Sequence, residues 1–408
     1  MARRVSADSL SEPCKDSNVK TLFVLSALGE ILALLALYFT GRTHVLGSLR
    51  RPYAGARRLP KEPSAAMIVP LTGDTPAVRG GLNSLLRQDY PGLRYVLVTR
   101  DESDPATALV RSLIQGREDA THVLSGPALT CGQKNHGLLA GLATLEDKPE
   151  IYIFCDSSHV ARPDLVRQLI APIASGKAPM SGGYHRVVPL DGKIPTLGML
   201  NVVMVLHCLQ SIKVITQPWG GAMAVAREVF EEHGVAAVWA TNIVDDFSLG
   251  PLLAKRRIRI CAVPDACLET PLKNVPLALW EDWLTRQLLY LKFCTPEMWI
   301  GALPVVWLLI GPPLLAALGV LGVLTGNADG WWIGATLVYL VAFAMVGLTF
   351  RTLAPRPVRF WDWTRCFMVS PFMTVWCYLR TWTTFTMRWR GIAYKVTWGG
   401  RVVEVLKS

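Results

Sequence analysis

Three long apolar stretches bracket a polar middle region, and this pattern limits the fold more than any other feature of the chain. Residues 21–40 are almost continuously apolar, interrupted by Glu30, and about 20 residues at ~1.5 Å each reach across a ~30 Å hydrocarbon core. Two further stretches, 299–324 and 331–350, are separated by Gly326-Asn327-Ala328-Asp329-Gly330 and predict a membrane hairpin with Pro304, Pro312 and Pro313 as kinks. A fourth, 366–385, contains Pro371 and Arg380 and either spans or lies in the interface, because a buried Arg is costly. A cleaved signal peptide fits residues 21–40 poorly, since they start late, lack an Ala-x-Ala site and precede a basic cluster.

The predicted organisation is a polar tail (1–20), a membrane helix (21–40), a polar domain (41–275), an amphipathic interfacial helix (276–298), two membrane helices (299–350) and a basic C-terminal region (351–408). The interfacial assignment rests on Trp280 and Trp283 among charged neighbours. The net charge of +11 need not mean nucleic acid. Lys and Arg crowd beside the apolar stretches, at Arg42, Arg50, Arg51, Arg57, Arg58 and Lys61 and again at Arg351, Arg356, Arg359 and Arg365. Anionic lipid headgroups are therefore the expected partner, and the positive-inside rule places the polar domain on the cytoplasmic side. Arg3, Arg4, Lys15 and Lys20 weaken that contrast, whereas the basic tail beyond Arg388 favours an interfacial fourth segment. Nine cysteines occur as singles, which argues against a disulfide framework or a zinc site.

Inside the polar domain, apolar runs alternate with helical patterns: 66–70 then 78–87, 95–99 then 105–114, 151–155 then 163–171. This predicts a doubly wound α/β sheet, in which ligands bind beyond the carboxyl ends of the strands. Asp101, Asp104 and Asp156 fall at such ends. Asp156 offers a hard oxygen ligand for Mg²⁺ or Mn²⁺ bridging a diphosphate, although an Asp here also caps turns. Lys134, in Cys-Gly-Gln-Lys-Asn-His, can offer an ammonium to phosphate. Asp245 and Asp246 precede a helical run, where one carboxylate suffices for capping and a second is free to act as a general base.

These pieces occur in one order: Asp104-Pro105, Lys134, Cys155-Asp156-Ser157, Gly220-Gly221-Ala222-Met223 with Arg227, and Asp245-Asp246-Phe247. With Gln88-Asp89-Tyr90-Pro91 and, near the tail, Trp389-Arg390-Gly391, Tyr394 and Lys395, the chain resembles the family 2 glycosyltransferases, most closely ceramide glucosyltransferases and their bacterial hopanoid-pathway relatives. The resemblance implies a GT-A (Rossmann-like) nucleotide-sugar domain flanked by membrane helices, a UDP-sugar donor, a lipid acceptor and a bacterial inner-membrane setting. It implies that Asp104, with Asp101 as helper, belongs to the nucleotide pocket and that Asp156 meets metal and diphosphate. Asp246 is implied as the base for inverting attack, and Gly220 and Gly221 form a turn beside the sugar. The family's Gln/Arg-x-x-Arg-Trp is incomplete: Arg286 or Gln287 can take its first place, but Leu289, Tyr290 or Leu291 then stands where Arg and Trp belong, leaving Lys292 as the substitute cation. Ser158 likewise stands where the wider superfamily carries a second metal-binding acid. Two other readings are a processive polysaccharide synthase, which needs more membrane helices, and an inactive lipid-binding relative, which has no use for three crevice acids.

Overall fold

The computed structural model describes residues 12–50, 59, 61–213 and 215–406. Arg3, Arg4, Arg51, Arg57 and Arg58 lie outside them, as does the side chain of Arg50. The chain begins with α1 (Glu12–Arg50) and enters the polar domain through β1 (Ala65–Pro70), α2 (Pro76–Leu85), β2 (Arg94–Thr99), α3 (Pro105–Ile114), β3 (Ala120–Leu124), α4 (Gln133–Ala143), β4 (Ile151–Cys155) and α5 (Leu165–Ala174). It continues through β5 (Met180–Pro189), α6 (Ile194–Leu209), β6 (Ala222–Ala226), α7 (Arg227–Glu232), α8 (Val235–Trp239), a 3₁₀ turn at Phe247–Leu249, α9 (Gly250–Arg256) and β7 (Ile260–Leu272). Five helices follow, α10 (Leu277–Cys294), α11 (Pro296–Gly301), α12 (Leu303–Leu324), α13 (Trp331–Arg351) and α14 (Phe360–Thr383). A small sheet of β8 (Thr386–Trp389), β9 (Ile392–Val396) and β10 (Val402–Leu406) closes the chain.

The main sheet has the order β3-β2-β1-β4-β6-β5-β7. Its first four strands are parallel, as expected for a doubly wound fold. β6 runs antiparallel to both β4 and β5, so the sheet is mixed. The α/β, GT-A (Rossmann-like) class expected from the sequence is the class observed. β4 is buried at every residue, the pattern a strand covered on both faces must have. Alternate side chains feed two cores: Met67, Leu97 and Ile153 on one face, and Ile68, Val96 and Phe154 on the other. Thr75 before Pro76 caps α2, and Asp104 before Pro105 caps α3, each accepting a bond from an otherwise unpaired helix-start N–H. Gln88 and Tyr90, part of the family-like tetrapeptide, are structural pins: Gln88 bridges Val166 N and Arg162 O, and the Tyr90 hydroxyl donates to Pro63 O.

Among the described residues, three segments are long and apolar enough to cross a membrane: Ser17–Gly47, Pro296–Leu324 and Trp331–Arg351. Their neighbours are fixed by aromatic packing of Phe23 against Trp332 and Tyr339, and by polar contacts. The Tyr339 hydroxyl donates to Glu30 at 2.9 Å, which gives the one acid inside residues 21–40 a partner on α13. Trp307 Nε1 donates to Ser26, and Lys20 pairs with Asp329 of the hairpin turn. Pro312 and Pro313 lie inside a continuous α12. Apolar α6 packs on α1 and α14 and joins the sheet domain to the membrane helices.

The interfacial role expected of Trp280 is overturned. Its side chain is fully buried in a cluster with Met199 and Val275, packed flat on Gly198 of α6, where a Cβ would stand 2.4 Å from the indole. Gly198 of α6, 82 residues before Trp280 in the sequence, supplies the cover that sequence pattern alone assigned to lipid. Trp283 is only partly buried.

Candidate active site

Asp156 emerges just after β4, where the parallel strand ends and the chain must turn; its backbone N–H donates to Gly221 O, tying it to the turn before β6. One carboxylate oxygen meets the Lys134 ammonium at 2.7 Å, while the other has His159 Nε2 at 4.0 Å. Lys134 reaches this point from the first turn of α4. Gly132, just before that helix, permits the approach: a Cβ there would stand 2.1 Å from Ile243 O, and the Gly132 N–H donates to Asn242 O. The strip before Asp245 is thereby pressed onto the start of α4.

Lys134 joins the separate pieces. Besides Asp156 it lies 3.0 Å from Asp245 Oδ2 and donates to Gly220 O at 3.0 Å. Burial disfavours its charge, but Asp156, Asp245 and Asp246 more than offset this, so its pKa lies above that of an ordinary lysine. Asp245 is fully buried, and apart from the Lys134 charge neither of its oxygens accepts an aligned hydrogen bond. Asp246 is only half-buried. Its Oδ2 accepts from Gly220 N at 3.0 Å and its Oδ1 from Phe247 N at 2.6 Å, so it caps the 3₁₀ turn and fixes the Gly220 turn at once. Burial pushes both carboxyls above the ordinary carboxylate range, with Lys134 opposing.

Gly220 and Gly221 lie against this cluster. A Cβ on Gly220 would stand 2.1 Å from Asp245 Oδ2, and one on Gly221 would stand 2.2 Å from the Trp219 ring. These are close-approach glycines, needed for what crosses over them.

A sequence profile of glycosyl transferase family 21 matches residues 22–402. The chain belongs to glycosyl transferase family 21. It is a glycosyltransferase by that membership, and the cluster around Lys134 is its candidate active site. Among solved structures, this family 21 chain is similar to a mannosyltransferase from Pyrobaculum calidifontis in complex with GDP-Man and Mn²⁺ (18% identity, 88% of this chain and 99% of that one, TM-score 0.49). It is also similar to GalNAc-T7 with UDP, GalNAc and Mn²⁺ (12%, 58% and 48%, 0.41). A third likeness is to glucosyl-3-phosphoglycerate synthase from Mycobacterium tuberculosis in complex with Mn²⁺, UDP and glucosyl-3-phosphoglycerate (16%, 56% and 79%, 0.35). No curated protein matches it significantly.

Of the other residues singled out in the family 21 sequence, Asp104 Oδ1 accepts from both Ala106 N and Gly73 N, joining the start of α3 to the loop after β1. Asp101 is partly exposed, bonded to Ser103 and paired with Arg100 at 2.9 Å. Tyr290 on α10 stacks on Phe247 beside Asp246, and burial raises its pKa, opposed by the nearby Arg286. Gln287 is partly buried on the same helix. Lys292 does not serve as the substitute cation. It is buried, donates to Thr381 O and Thr384 O at the end of α14, and lies 4.4 Å from the Phe385 ring centroid. The free carbonyls of a helix C-terminus attract a cation, and Lys292 is committed to them.

Four site residues, His159, His185, Trp219 and Thr270, escaped the sequence reading. His159 and His185 both meet Thr270 Oγ1 through Nδ1 at 2.8 Å, and His185 stacks on Trp219 at 4.8 Å. Burial lowers the pKa of both imidazoles. Only the spacing Asp156 to His159 and the adjacency Trp219-Gly220 hinted at them. The C-terminal sheet also reaches the site: the Tyr394 hydroxyl accepts from Gln133 N, and Ile243 N donates to Gly400 O.

Proposed function

We propose that this protein is a membrane-bound inverting glycosyltransferase that moves a sugar, glucose favoured, from a UDP-sugar to the hydroxyl of a ceramide-like lipid. The observation that carries the reading is the Lys134, Asp156, Asp245 and Asp246 cluster beyond the sheet, in a family 21 chain with three helices apolar enough to span a bilayer. A polymer-extruding synthase needs more membrane helices than these.

Asp246 is the base, because it keeps some exposure to the crevice while Asp245 is sealed. It takes the proton of the acceptor hydroxyl as that oxygen attacks the anomeric carbon, and the bond from that carbon to the diphosphate breaks as the nucleoside diphosphate leaves. Its raised pKa brings it nearer the basicity a general base needs. Asp245 and Lys134 hold the Gly220 turn and set the local field. Asp101 and Asp104 border the nucleotide side, and Arg286, Gln287 and Tyr290 the acceptor side.

Among the described residues no group of three or more His, Cys, Asp or Glu is gathered for a metal ion, so the protein offers a divalent cation Asp156 and leaves the other ligands to the donor's phosphates. Asp156 has one oxygen without a hydrogen bond, and Mg²⁺ or Mn²⁺ is commonly held by one or two carboxylates plus substrate phosphates. Asp156 would hold the ion, which supplies charge neutralisation for the departing diphosphate. The basic flanks, Arg42 and Arg351 among them, support a cytoplasmic sheet domain.

The test is incubation of membranes with radiolabelled UDP-sugars and a lipid extract. Label in the organic phase as one monoglycosylated lipid supports the proposal. Label chiefly in a water-soluble polymer supports the synthase, UDP-N-acetylglucosamine as sole effective donor the hopanoid-type transfer, and no incorporation a lipid-binding relative.

A further inference from the structure

α14 is too polar to count among the spanning helices, with Asp362, Arg365 and Arg380 along it, yet one side of it is apolar and exposed. At ~1.5 Å per residue its 24 residues are about 36 Å long, enough to cross a bilayer. Its two ends show that it does not. Near its start, Asp362 packs against Gly192 in the turn between β5 and α6, and Trp363 Nε1 donates to Gly347 O in the last turns of α13 at 2.7 Å. At its end, Lys292 of α10 holds Thr381 O and Thr384 O, and the Tyr378 hydroxyl donates to Trp299 O at the root of the hairpin. Between these points Glu281 of α10 takes both Trp376 Nε1 and Arg380. Its start thus touches the sheet domain and the last turns of α13, and its end touches α10 and α11. α14 lies across the foot of the hairpin.

Trp363, Phe367 and Tyr378 face inward and are buried. Trp361, Phe372, Trp376 and Leu379 recur at helical spacing on the opposite side, 48–68% exposed, followed by Trp382 and Phe385. Arg365 and Arg380 flank this stripe, and Arg388 and Arg390 follow it, all at least partly exposed. We infer that α14 lies in the plane of the membrane surface, with this stripe sunk at the boundary of headgroups and acyl chains and the arginines on lipid phosphates. Two observations select a bilayer over a protein partner. The stripe is continuous with the exposed apolar faces of α12 and α13, through contacts of α14 with both helices, and while Arg365 and Arg380 are paired with Asp362 and Glu281, the exposed Arg388 and Arg390 just beyond it carry no ion pair among the described residues. Since the inner face of α14 packs on α10, which carries Tyr290 to Asp246, this docking sets the acid pair near headgroup depth.

The inference rests on α12 and α13 being membrane spans and not on the transfer reaction, and its test keeps the two apart. Spin labels are placed by Trp361→Cys, Phe372→Cys and Leu379→Cys, each in the full chain with Cys14 and Cys261 replaced by Ser, reconstituted in vesicles of phosphatidylcholine and phosphatidylglycerol. Leu318→Cys on α12 is the deep control. The expected result is a shared shallow depth for the three α14 labels, about 5–10 Å below the headgroups by oxygen against nickel-chelate accessibility, with position 318 deeper. Depths that run through the bilayer centre from 361 to 379, or nickel accessibility equal to that in water, overturn it, the latter also being the outcome if a protein partner covers the stripe. A shallow reading at 318 overturns the membrane-span premise. As a functional arm, the Phe372→Ser, Leu379→Ser double variant should raise the KM for a bilayer-embedded acceptor at least ~5-fold and leave transfer to a short-chain acceptor in detergent unchanged; equal loss on both assigns the stripe to folding only.

Discussion

The Lys134 ammonium stands 3.0 Å from a carboxylate oxygen of Asp245 and is the charge that most opposes the burial of that acid, while Asp156 and Asp245 together keep Lys134 charged out of water. Removing one partner of a buried pair leaves the other uncompensated, which typically costs about 3–5 kcal/mol. Lys134→Met should therefore lower stability strongly in thermal or denaturant unfolding and abolish transfer. Adding Asp245→Asn should restore much of the stability and none of the activity. Full stability in Lys134→Met alone would show that the pair is not coupled as the geometry states.

Asp246→Asn should reduce turnover by about 10²- to 10⁴-fold, the usual worth of a general base, with donor affinity within a few-fold. The base works ionised and its pKa is raised, chiefly by burial. Wild-type activity should therefore fall as pH drops through a midpoint above the ordinary carboxylate value of ~4. Asp246→Asn should lose that acidic limb. A pH profile that is unchanged by the substitution assigns the base elsewhere.

Gly220→Ala forces a methyl group to 2.1 Å from the Asp245 carboxylate unless the turn moves. Overpacking of this kind costs about 1–3 kcal/mol, and here the shift would also disturb the Gly220 N–H bond to Asp246. Transfer should drop at least ~10-fold. Gly80→Ala, inside α2 with nothing near its added Cβ, should instead be neutral or stabilise by about 0.5–1 kcal/mol.

Chelation should stop turnover, and Mg²⁺ or Mn²⁺ should restore it in the wild type but not in Asp156→Ala. Undiminished activity in excess EDTA would mean that Lys134 and its surroundings neutralise the diphosphate without a metal.

The sequence by itself determined what is encoded by neighbours along the chain. Apolar length marked α1, α12 and α13, and the helical run 105–114 marked α3. The apolar run ending at Cys155 marked the strand that delivers Asp156. These are properties of segments, set by hydropathy, backbone preference and periodicity, and they survive without knowledge of any partner. The tertiary structure decided which segments meet. Lys134 is joined to Asp245 across more than a hundred residues, Trp280 is covered by Gly198 instead of lipid, Lys292 is spent on the end of α14, and His159 and His185 share Thr270. Nothing in local pattern distinguishes a tryptophan that faces a helix from one that faces a headgroup, or a lysine that awaits phosphate from one that closes a helix. Both choices are made by which distant surface arrives first to bury the side chain or satisfy its charge.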